Sequence, residues 1–152
     1  MKSESNVDVL EGSNTTIMKF MQSCDIGFKG FGEAYFSVVP CGVERNWKIH
    51  KKATCNIMVP YGKVLFVVAE YDLSCWSFVE LGVLPQKRLT IPPMNWYGFL
   101  GVGHKESVIA NIIDVRHEDE QKDDEQKRLA MNVPKAEVLW EEQTIRYLSS
   151  WK

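Results

Sequence analysis

The sequence predicts an all-β protein, built as an antiparallel sandwich or barrel. Strand-like runs recur about every 10–15 residues with Gly, Pro and Asn between them, which is typical of that architecture. Val64–Ala69 is apolar throughout and rich in β-branched residues, as expected for a strand buried on both faces. No long helical pattern alternates with these runs, which argues against a parallel α/β sheet.

The predicted elements follow from the N-terminus. Residues 1–16 have no periodic pattern and are expected to form a flexible polar arm. Pro and Gly predict a turn at Pro60–Lys63, and Pro92-Pro93 ends the strand before it because proline cannot continue a ladder. Val64–Ala69 and Ser107–Ile113 are expected among the central strands. The predicted strands are Ile17–Met21, Glu33–Val39, Thr54–Val59, Val64–Ala69, Cys75–Leu81, Lys87–Ile91, Tyr97–Leu100 and Ser107–Ile113.

The chain beyond the last strand is charged first and partly apolar later. Residues 117–128 read HEDEQKDDEQKR, with six acids and three bases, and are predicted to be a solvated loop or helix face. A metal-binding acidic cluster is the weaker alternative. Ile145, Leu148 and Trp151 are spaced by three, which predicts a short C-terminal helix. We therefore expect one domain at 17–140, preceded by the arm 1–16 and followed by a tail, 141–152, that packs on the barrel or is flexible.

Composition and charge exclude several classes of protein. With 152 residues, 45% of them hydrophobic and 25% charged, the chain is globular rather than disordered. The net charge of -2 gives no general attraction for nucleic acid. No apolar run approaches the roughly 18 residues of a membrane span, and the polar start lacks the apolar stretch of a signal peptide. A cytoplasmic protein without nucleic-acid or membrane partners is expected.

Cysteine and histidine supply few candidates for chemistry. The cysteines form no C-x-x-C pair, so buried free thiols are expected rather than disulfides or a metal cage. His104 and His117 are predicted to lie at the surface, and three scattered histidines do not make a metal site. The four cysteines are Cys24, Cys41, Cys55 and Cys75.

His50 is the strongest catalytic candidate. It stands just before a predicted core strand, between Lys48 and the pair Lys51 and Lys52, so it can face the lumen of a barrel. An imidazole titrates near neutral pH, which suits a general base, and neighbouring cations would lower its pKa and attract an anionic substrate. A half-buried structural histidine is an equally good interpretation of the pattern.

The segment Ile91–Phe99 carries two prolines followed by aromatic residues. It is either a packed corner of the barrel or a stiff rim that presents aromatic rings to a ligand, and the two interpretations are compatible. In the second, the Tyr97 hydroxyl is a proton donor or hydrogen-bond partner.

Several motifs together resemble the dTDP-4-dehydrorhamnose 3,5-epimerase family, and more narrowly its short epimerase-related branch from surface-polysaccharide loci. The match runs in order over about residues 17–120. The motifs are F-G-E-A-Y-F-S-V-V from Phe31, W-x-x-H-K from Trp47, I-P-P-x-x-W-Y-G-F from Ile91, and N-x-x-D from Asn111.

The resemblance implies a cupin-type jelly roll, a double-stranded β-helix that usually pairs as a homodimer. It implies a nucleotide-linked 4-keto-6-deoxyhexose, dTDP-linked in the family, as substrate. A base would remove a proton next to the ketone, and no cofactor or metal is needed because the ketone stabilises the enolate. His50 matches the family's base by position. The family's Arg before that base is absent from its expected place, where Lys48 stands, and the strand that carries the family's Tyr acid has none here; Tyr97 or Tyr61 is the replacement we consider.

The expected function is therefore a sugar-nucleotide 3- or 3,5-epimerase or a related isomerase of deoxysugar and polysaccharide biosynthesis. A catalytically silent sugar- or nucleotide-sugar-binding cupin is the alternative, and a metal-dependent cupin oxygenase is disfavoured by the number and spacing of histidines. The predicted catalytic residues are His50 and Tyr97. The predicted substrate-binding residues are Lys48, Lys52, Asn56, Tyr61, Trp96 and Asn111.

Overall fold

A computed structural model describes residues 1–121, 141–142 and 149. Within this part of the chain, eleven strands precede one short helix. The strands are β1 (Ser3–Asn6), β2 (Asp8–Glu11), β3 (Thr16–Lys19), β4 (Glu33–Pro40), β5 (Glu44–Ile49), β6 (Cys55–Tyr61), β7 (Val64–Glu70), β8 (Trp76–Leu81), β9 (Lys87–Ile91), β10 (Asn95–Gly101) and β11 (Glu106–Ile113), and the helix is α1 (His117–Gln121).

The strands form two main antiparallel sheets that face each other, as the sequence predicts for a jelly roll. One sheet has five strands in the order β1-β9-β6-β11-β4, and the other has four in the order β5-β10-β7-β8. The β2–β3 hairpin pairs separately. Neighbours in both sheets are often distant in sequence, so the chain crosses repeatedly between the layers, and the prediction of a cupin-type jelly roll is confirmed.

Each face of the four-stranded sheet buries its own cluster. Phe66 and Val68 of β7 point between the sheets into the main core, together with Ile57 of β6 and Ile109 of β11. The alternate β7 residues, Leu65, Val67 and Ala69, pack on the opposite face against tryptophan side chains. This double burial explains why β7 reads as an uninterrupted apolar run.

The structure differs from the predicted elements mainly at the polar strands. Residues 3–6 pair with β9, whereas an arm without regular structure was expected. Glu44–Ile49 forms β5, for which no strand was predicted. Both segments are rich in charged or polar residues and therefore lack the apolar alternation that reveals a strand.

The exposure of the cysteines also differs from the prediction. Only Cys55 is buried, whereas Cys24, Cys41 and Cys75 are exposed free thiols. The start of the charged run is helix α1, and the rest of that run lies outside the described residues, as do most of the tail and its predicted helix. The described part of the chain contains no helix long and apolar enough to cross a membrane.

Candidate active site

His50 and Tyr97 meet between the two sheets. The His50 Nε2 atom lies 3.1 Å from the Tyr97 hydroxyl oxygen, which is hydrogen-bond distance. Both side chains are buried, and their rings stack with centroids 5.9 Å apart. Tyr97 of β10 pairs with Lys48 of β5, and His50 follows two residues later, so strand alternation points all three side chains to the same face. The two residues predicted to be catalytic are thus brought together.

His50 is uncharged in this environment. Burial is the main cause that lowers its pKa to about 4, while the negative charge of Glu120 opposes the shift and His117 and Lys48 add to it. The predicted direction agrees with the structure, but desolvation rather than neighbouring cations is the larger cause. Within the described residues, the buried Nδ1 atom has no hydrogen-bond partner. A neutral imidazole with one free nitrogen can accept a proton.

A string of polar side chains crosses the lumen from Tyr97 to the opposite sheet. The Cys55 thiol contacts the Tyr97 and Asn111 side chains, and Asn111 Nδ2 donates to the Tyr35 hydroxyl over 2.7 Å. Burial raises the pKa of Cys55 to about 11 and that of Tyr35 to about 12, and it raises the pKa of Tyr97 as well. The thiol and both phenols are therefore protonated at neutral pH and can act as donors.

A β-bulge puts two cations at the mouth of the lumen. Tyr97 pairs with Lys48 and Phe99 pairs with Arg45, so three residue steps on β5 face two on β10. Trp47, inside the bulge, has a positive φ of 35°. Because of the extra residue, Arg45 and Lys48 both lie on the lumen side although their spacing is odd.

The lumen opens at this cationic end. A narrow cavity of about 20 Å³ is lined by Tyr35, Lys48, Tyr97 and Asn111, among others. An adjoining, wider cleft of about 300 Å³ is lined by Arg45, Lys48 and residues of β4, among others. Burial lowers the pKa of Lys48. Its Nζ atom lies 5.8 Å from the centre of the Phe99 ring.

Helix α1 closes the opposite end, near His50. The His117 ring makes edge contacts with His50 and Tyr35, at centroid distances of 5.7 and 4.9 Å. Its backbone N–H donates to Glu33 Oε2 over 3.0 Å, which attaches the helix to the start of β4. His117 is therefore a partly buried neighbour of the site, not the surface residue that the sequence predicts, while His104 is exposed as predicted.

Four predicted substrate-binding residues lie away from the lumen. Asn56 is buried on the outer side of the five-stranded sheet, where Nδ2 donates to the Gly27 carbonyl and Oδ1 accepts from Thr90. Trp96 packs in the outer cluster of the four-stranded sheet. Lys52 and Tyr61 are exposed. Lys48 and Asn111 do line the lumen, and the ligand roles of all six remain predictions.

The alternation of side chains along β10 decides which aromatic residues of the segment Ile91–Phe99 face the lumen. Tyr97 and Phe99 are two residues apart and both face the lumen, whereas Trp96 faces the other way. Sequence reasoning missed Arg45, because no strand was predicted at Glu44–Ile49 and the bulge puts Arg45 on the same side as Lys48. It also missed Glu120, whose burial a run of charged residues does not reveal. The weaker alternative for the charged run, an acidic metal site, finds no support among residues 117–121, and the described residues contain no group of three metal-ligating side chains.

Comparisons with solved structures find the same fold in several sugar-nucleotide enzymes. A dTDP sugar isomerase from Desulfovibrio desulfuricans G20 has a TM-score of 0.71 at 27% identity, over 76% of this chain and 78% of that one. A dTDP-6-deoxy-D-glucose-3,5-epimerase from Legionella pneumophila, in complex with dTDP-4-keto-L-rhamnose, has a TM-score of 0.67 at 17% identity, over 78% and 70%. A sugar 3,4-ketoisomerase from Thermoanaerobacterium thermosaccharolyticum, in complex with TDP, has a TM-score of 0.67 at 16% identity, over 78% and 85%.

No family model and no curated protein matches the chain. The structural neighbours nevertheless agree with one another, since they are dTDP-sugar isomerases and 4-keto-6-deoxy-sugar epimerases of one fold. The chain therefore shares the fold of these enzymes, in agreement with the resemblance predicted from the sequence.

Proposed function

We propose that this chain is an epimerase or isomerase of a nucleotide-linked 4-keto-6-deoxyhexose, with His50 as the base that removes the proton next to the ketone. The observation that carries the proposal is the contact of 3.1 Å between His50 and Tyr97 at the closed end of a lumen with a cationic mouth. The neighbours whose names specify a keto-sugar chemistry support the substrate class.

The electrostatics of the lumen suit proton transfer at carbon. His50 is neutral at physiological pH because its pKa is about 4, so the ring is in the form that a base needs, and the same low pKa makes it a weak base. Removing the proton leaves an enolate, whose oxygen needs a positive charge or a hydrogen-bond donor. Lys48 supplies such a group at the mouth of the lumen, where it is exposed, and Tyr97 stays protonated because burial raises its pKa. General-base catalysis of this kind contributes about 10²–10⁴ in rate.

The mouth suits the nucleotide end of the substrate. Arg45 and Lys48 line the open cleft, and guanidinium and ammonium groups bind the oxygens of a diphosphate. A nucleotide bound in the wider cleft would direct its sugar toward the narrow cavity that Tyr97 lines. In this proposal Arg45 joins Lys48, which the sequence offered as a substrate-binding residue.

The position of Tyr97 bears on the type of reaction. A base and a donor 3.1 Å apart act on the same side of a bound ring, which favours migration of the keto group between neighbouring carbons. Inversion at carbon instead needs a donor on the other side of the ring. Tyr35 of β4 supplies a protonated hydroxyl on the opposite sheet of the lumen. Both reactions begin with the same proton abstraction by His50.

The test is proton exchange in heavy water. Purified protein is incubated with dTDP-4-keto-6-deoxyglucose, and NMR follows deuterium entry at C3 and C5, inversion at either carbon and migration of the ketone. His50→Asn should reduce exchange by about 10²–10⁴ while dTDP binding persists, because the base acts mainly in the transition state.

His104→Asn is the matched control, because His104 is exposed and lies outside the site. It should exchange at the wild-type rate. Exchange that survives unchanged in His50→Asn would show that His50 is not the base. Binding without any exchange by the wild-type protein would contradict the enzyme and favour the second candidate.

That second candidate is a silent sugar-binding protein. It is favoured by the ring of His50, which has no carboxylate hydrogen-bonded to it among the described residues. It is opposed by the polar groups around His50, because a purely structural histidine does not need a lumen lined with protonated donors.

A homodimer is part of the proposal. Strand β4 lies at a sheet edge, and on the outer face of that sheet Phe36 and Val38 are exposed beside Tyr61 of β6. Register places Val108 of β11 against both Val38 and Tyr61, so these side chains form one apolar strip. Such strips mark protein–protein contacts, and a second copy related by twofold symmetry presents the same strip. A cytoplasmic location remains a prediction, and so does a role in polysaccharide biosynthesis.

A further inference from the structure

Helix α1 carries a buried carboxylate that the proposed reaction leaves unused. Glu120 lies in a run of charged residues, yet only 3% of its surface is exposed. Its neighbours Glu118 and Asp119 on the same helix are exposed. A buried charge is costly unless it is hydrogen-bonded, so the partners of Glu120 reveal what holds it there.

Those partners are the backbone amides that directly follow His50. Glu120 Oε1 accepts from Lys52 N over 2.8 Å and from Ala53 N over 2.6 Å. Oε2 accepts from Lys51 N over 3.3 Å. One carboxylate thus binds three consecutive N–H groups of the β5–β6 connection. Asp114 holds the next amide, with Oδ1 accepting from Thr54 N over 2.6 Å.

The charged and titratable groups around His50 come from several elements. Glu120 and His117 belong to α1, Lys48 to β5, Tyr97 to β10, Cys55 to β6, and Asp114 follows β11. Glu120 and Asp114 are the carboxylates that favour a proton on His50, and the effect of Glu120 is the larger. Neither is hydrogen-bonded to the ring itself.

We propose that Glu120 is a positioning residue for His50: it clamps the backbone at residues 51–53, fixes the imidazole against Tyr97, and supplies the negative charge that balances the imidazolium formed during proton transfer. The proposal rests on the proposed function for the last of these roles, since it takes His50 as the base. The Glu120 side chain would orient the imidazole and balance its charge from the neighbouring backbone amides, without a hydrogen bond to the ring itself.

The physical need for such a group follows from burial. When His50 accepts a proton, a positive charge forms in a site where desolvation opposes it. Lys48 makes that charge still less favourable, while a fixed carboxylate nearby offsets it. The clamp also limits the loop's movement, and displacement of a catalytic group by about 1 Å costs about a hundredfold in rate.

Glu120→Gln tests the proposal, because it keeps the size and one acceptor oxygen but removes the charge. We expect dTDP affinity to be unchanged and deuterium exchange to slow by about tenfold to a hundredfold. The protonation of His50, followed by NMR of the ring, should move to lower pH, because loss of a nearby negative charge disfavours the imidazolium.

Glu118→Gln is the matched control on the same helix. It makes the same chemical change at an exposed position and should leave exchange, affinity and the His50 titration as in wild type. If Glu120→Gln also leaves both the exchange rate and the His50 titration unchanged, Glu120 is not a positioning residue. If the wild-type protein exchanges no proton, the proposed function fails, yet the titration still decides whether Glu120 acts on His50.

A measurement on the wild-type protein covers the case in which Glu120→Gln does not fold. The amide protons of Lys52 and Ala53 donate to Glu120, so they report on the clamp. We expect their chemical shifts to change with the same midpoint as the His50 ring during a pH titration. Amide shifts that stay constant through that midpoint would overturn the proposal.

Discussion

His50 ties the chemistry of the site to the stability of the fold. Its folded-state pKa of about 4 lies below the ordinary value of 6.5. Between these two values the unfolded chain binds a proton that the folded chain does not. The free energy of unfolding must therefore fall as the pH falls through this window, by at most about 1.4 kcal/mol per pH unit.

This yields a prediction for acid stability. Between pH 7 and pH 5, wild-type protein should lose about 1–2 kcal/mol more of unfolding free energy than His50→Asn, whose side chain does not titrate. Urea denaturation at the two pH values measures the difference, and His104→Asn should retain the wild-type loss. Equal losses in wild type and His50→Asn would show that His50 is not buried in its neutral form.

At the residue scale, sequence reasoning located side chains only where strand alternation holds. Lys48, Tyr97 and Asn111 line the cavity, and His50, which was predicted to face the lumen, contacts Tyr97. Arg45 escaped because the bulge at Trp47 changes the count along β5. Whether a polar residue such as Asn56 faces inward or outward depends on register between strands, which one sequence does not contain.

Among the elements, β6 and β7 show how a side chain can hold a turn. Their turn is centred on Gly62, which has a φ of +77°, and Lys63, within the predicted segment Pro60–Lys63. Ser107 of β11 is fully buried below it. Its Oγ accepts from Lys63 N over 2.9 Å and donates to Lys63 O over 3.0 Å. A third strand thus completes the hydrogen bonding of the hairpin.

Ser107→Ala should therefore lower the free energy of unfolding by about 1–3 kcal/mol, because the Lys63 N–H loses the hydroxyl that accepts from it, while Lys63 O keeps the amides of Val102 and Gly103. Chemical denaturation measures the change. Ser13→Ala, at an exposed loop position, should stay within about 0.5 kcal/mol of wild type. A Ser107→Ala protein as stable as wild type would mean that water replaces the hydroxyl.

The apolar strands were predictable and the charged ones were not. Val64–Ala69 and Ser107–Ile113 coincide with central strands because burial selects apolar, β-branched side chains there. Strand β5 places Arg45 and Lys48 at the mouth of the lumen. These cations, which are proposed to bind the substrate, interrupt the apolar alternation by which a strand is recognised in a sequence. A helix at residues 117–121 fits the predicted loop or helix face, but the burial of Glu120 was not predicted, since the backbone amides that bind it leave no mark in the composition.

At the scale of the whole molecule, the apolar strip around Phe36 is predicted to hold two copies together. Phe36 is 74% exposed in the isolated chain. Phe36→Asp places a charge on the strip and should convert a dimer to a monomer, since charged residues are disfavoured at the centre of an interface. Light scattering at micromolar concentration measures the mass.

Leu84→Asp is the control, because Leu84 is equally apolar and exposed but lies in the loop between β8 and β9. It should leave the mass unchanged. A monomeric wild-type protein would contradict the dimer, and a dimeric Phe36→Asp protein would place the interface elsewhere.

The buried thiol of Cys55 gives the protein an internal vibrational reporter. An S–H bond absorbs infrared light in a region where amide and water bands are weak, and its frequency drops as the group donates a stronger hydrogen bond. Three of the four thiols are exposed to water, whereas Cys55 touches both Tyr97 and Asn111. Occupancy of the lumen would therefore be visible as a sharp line that changes position, without a label, a coupled assay or turnover.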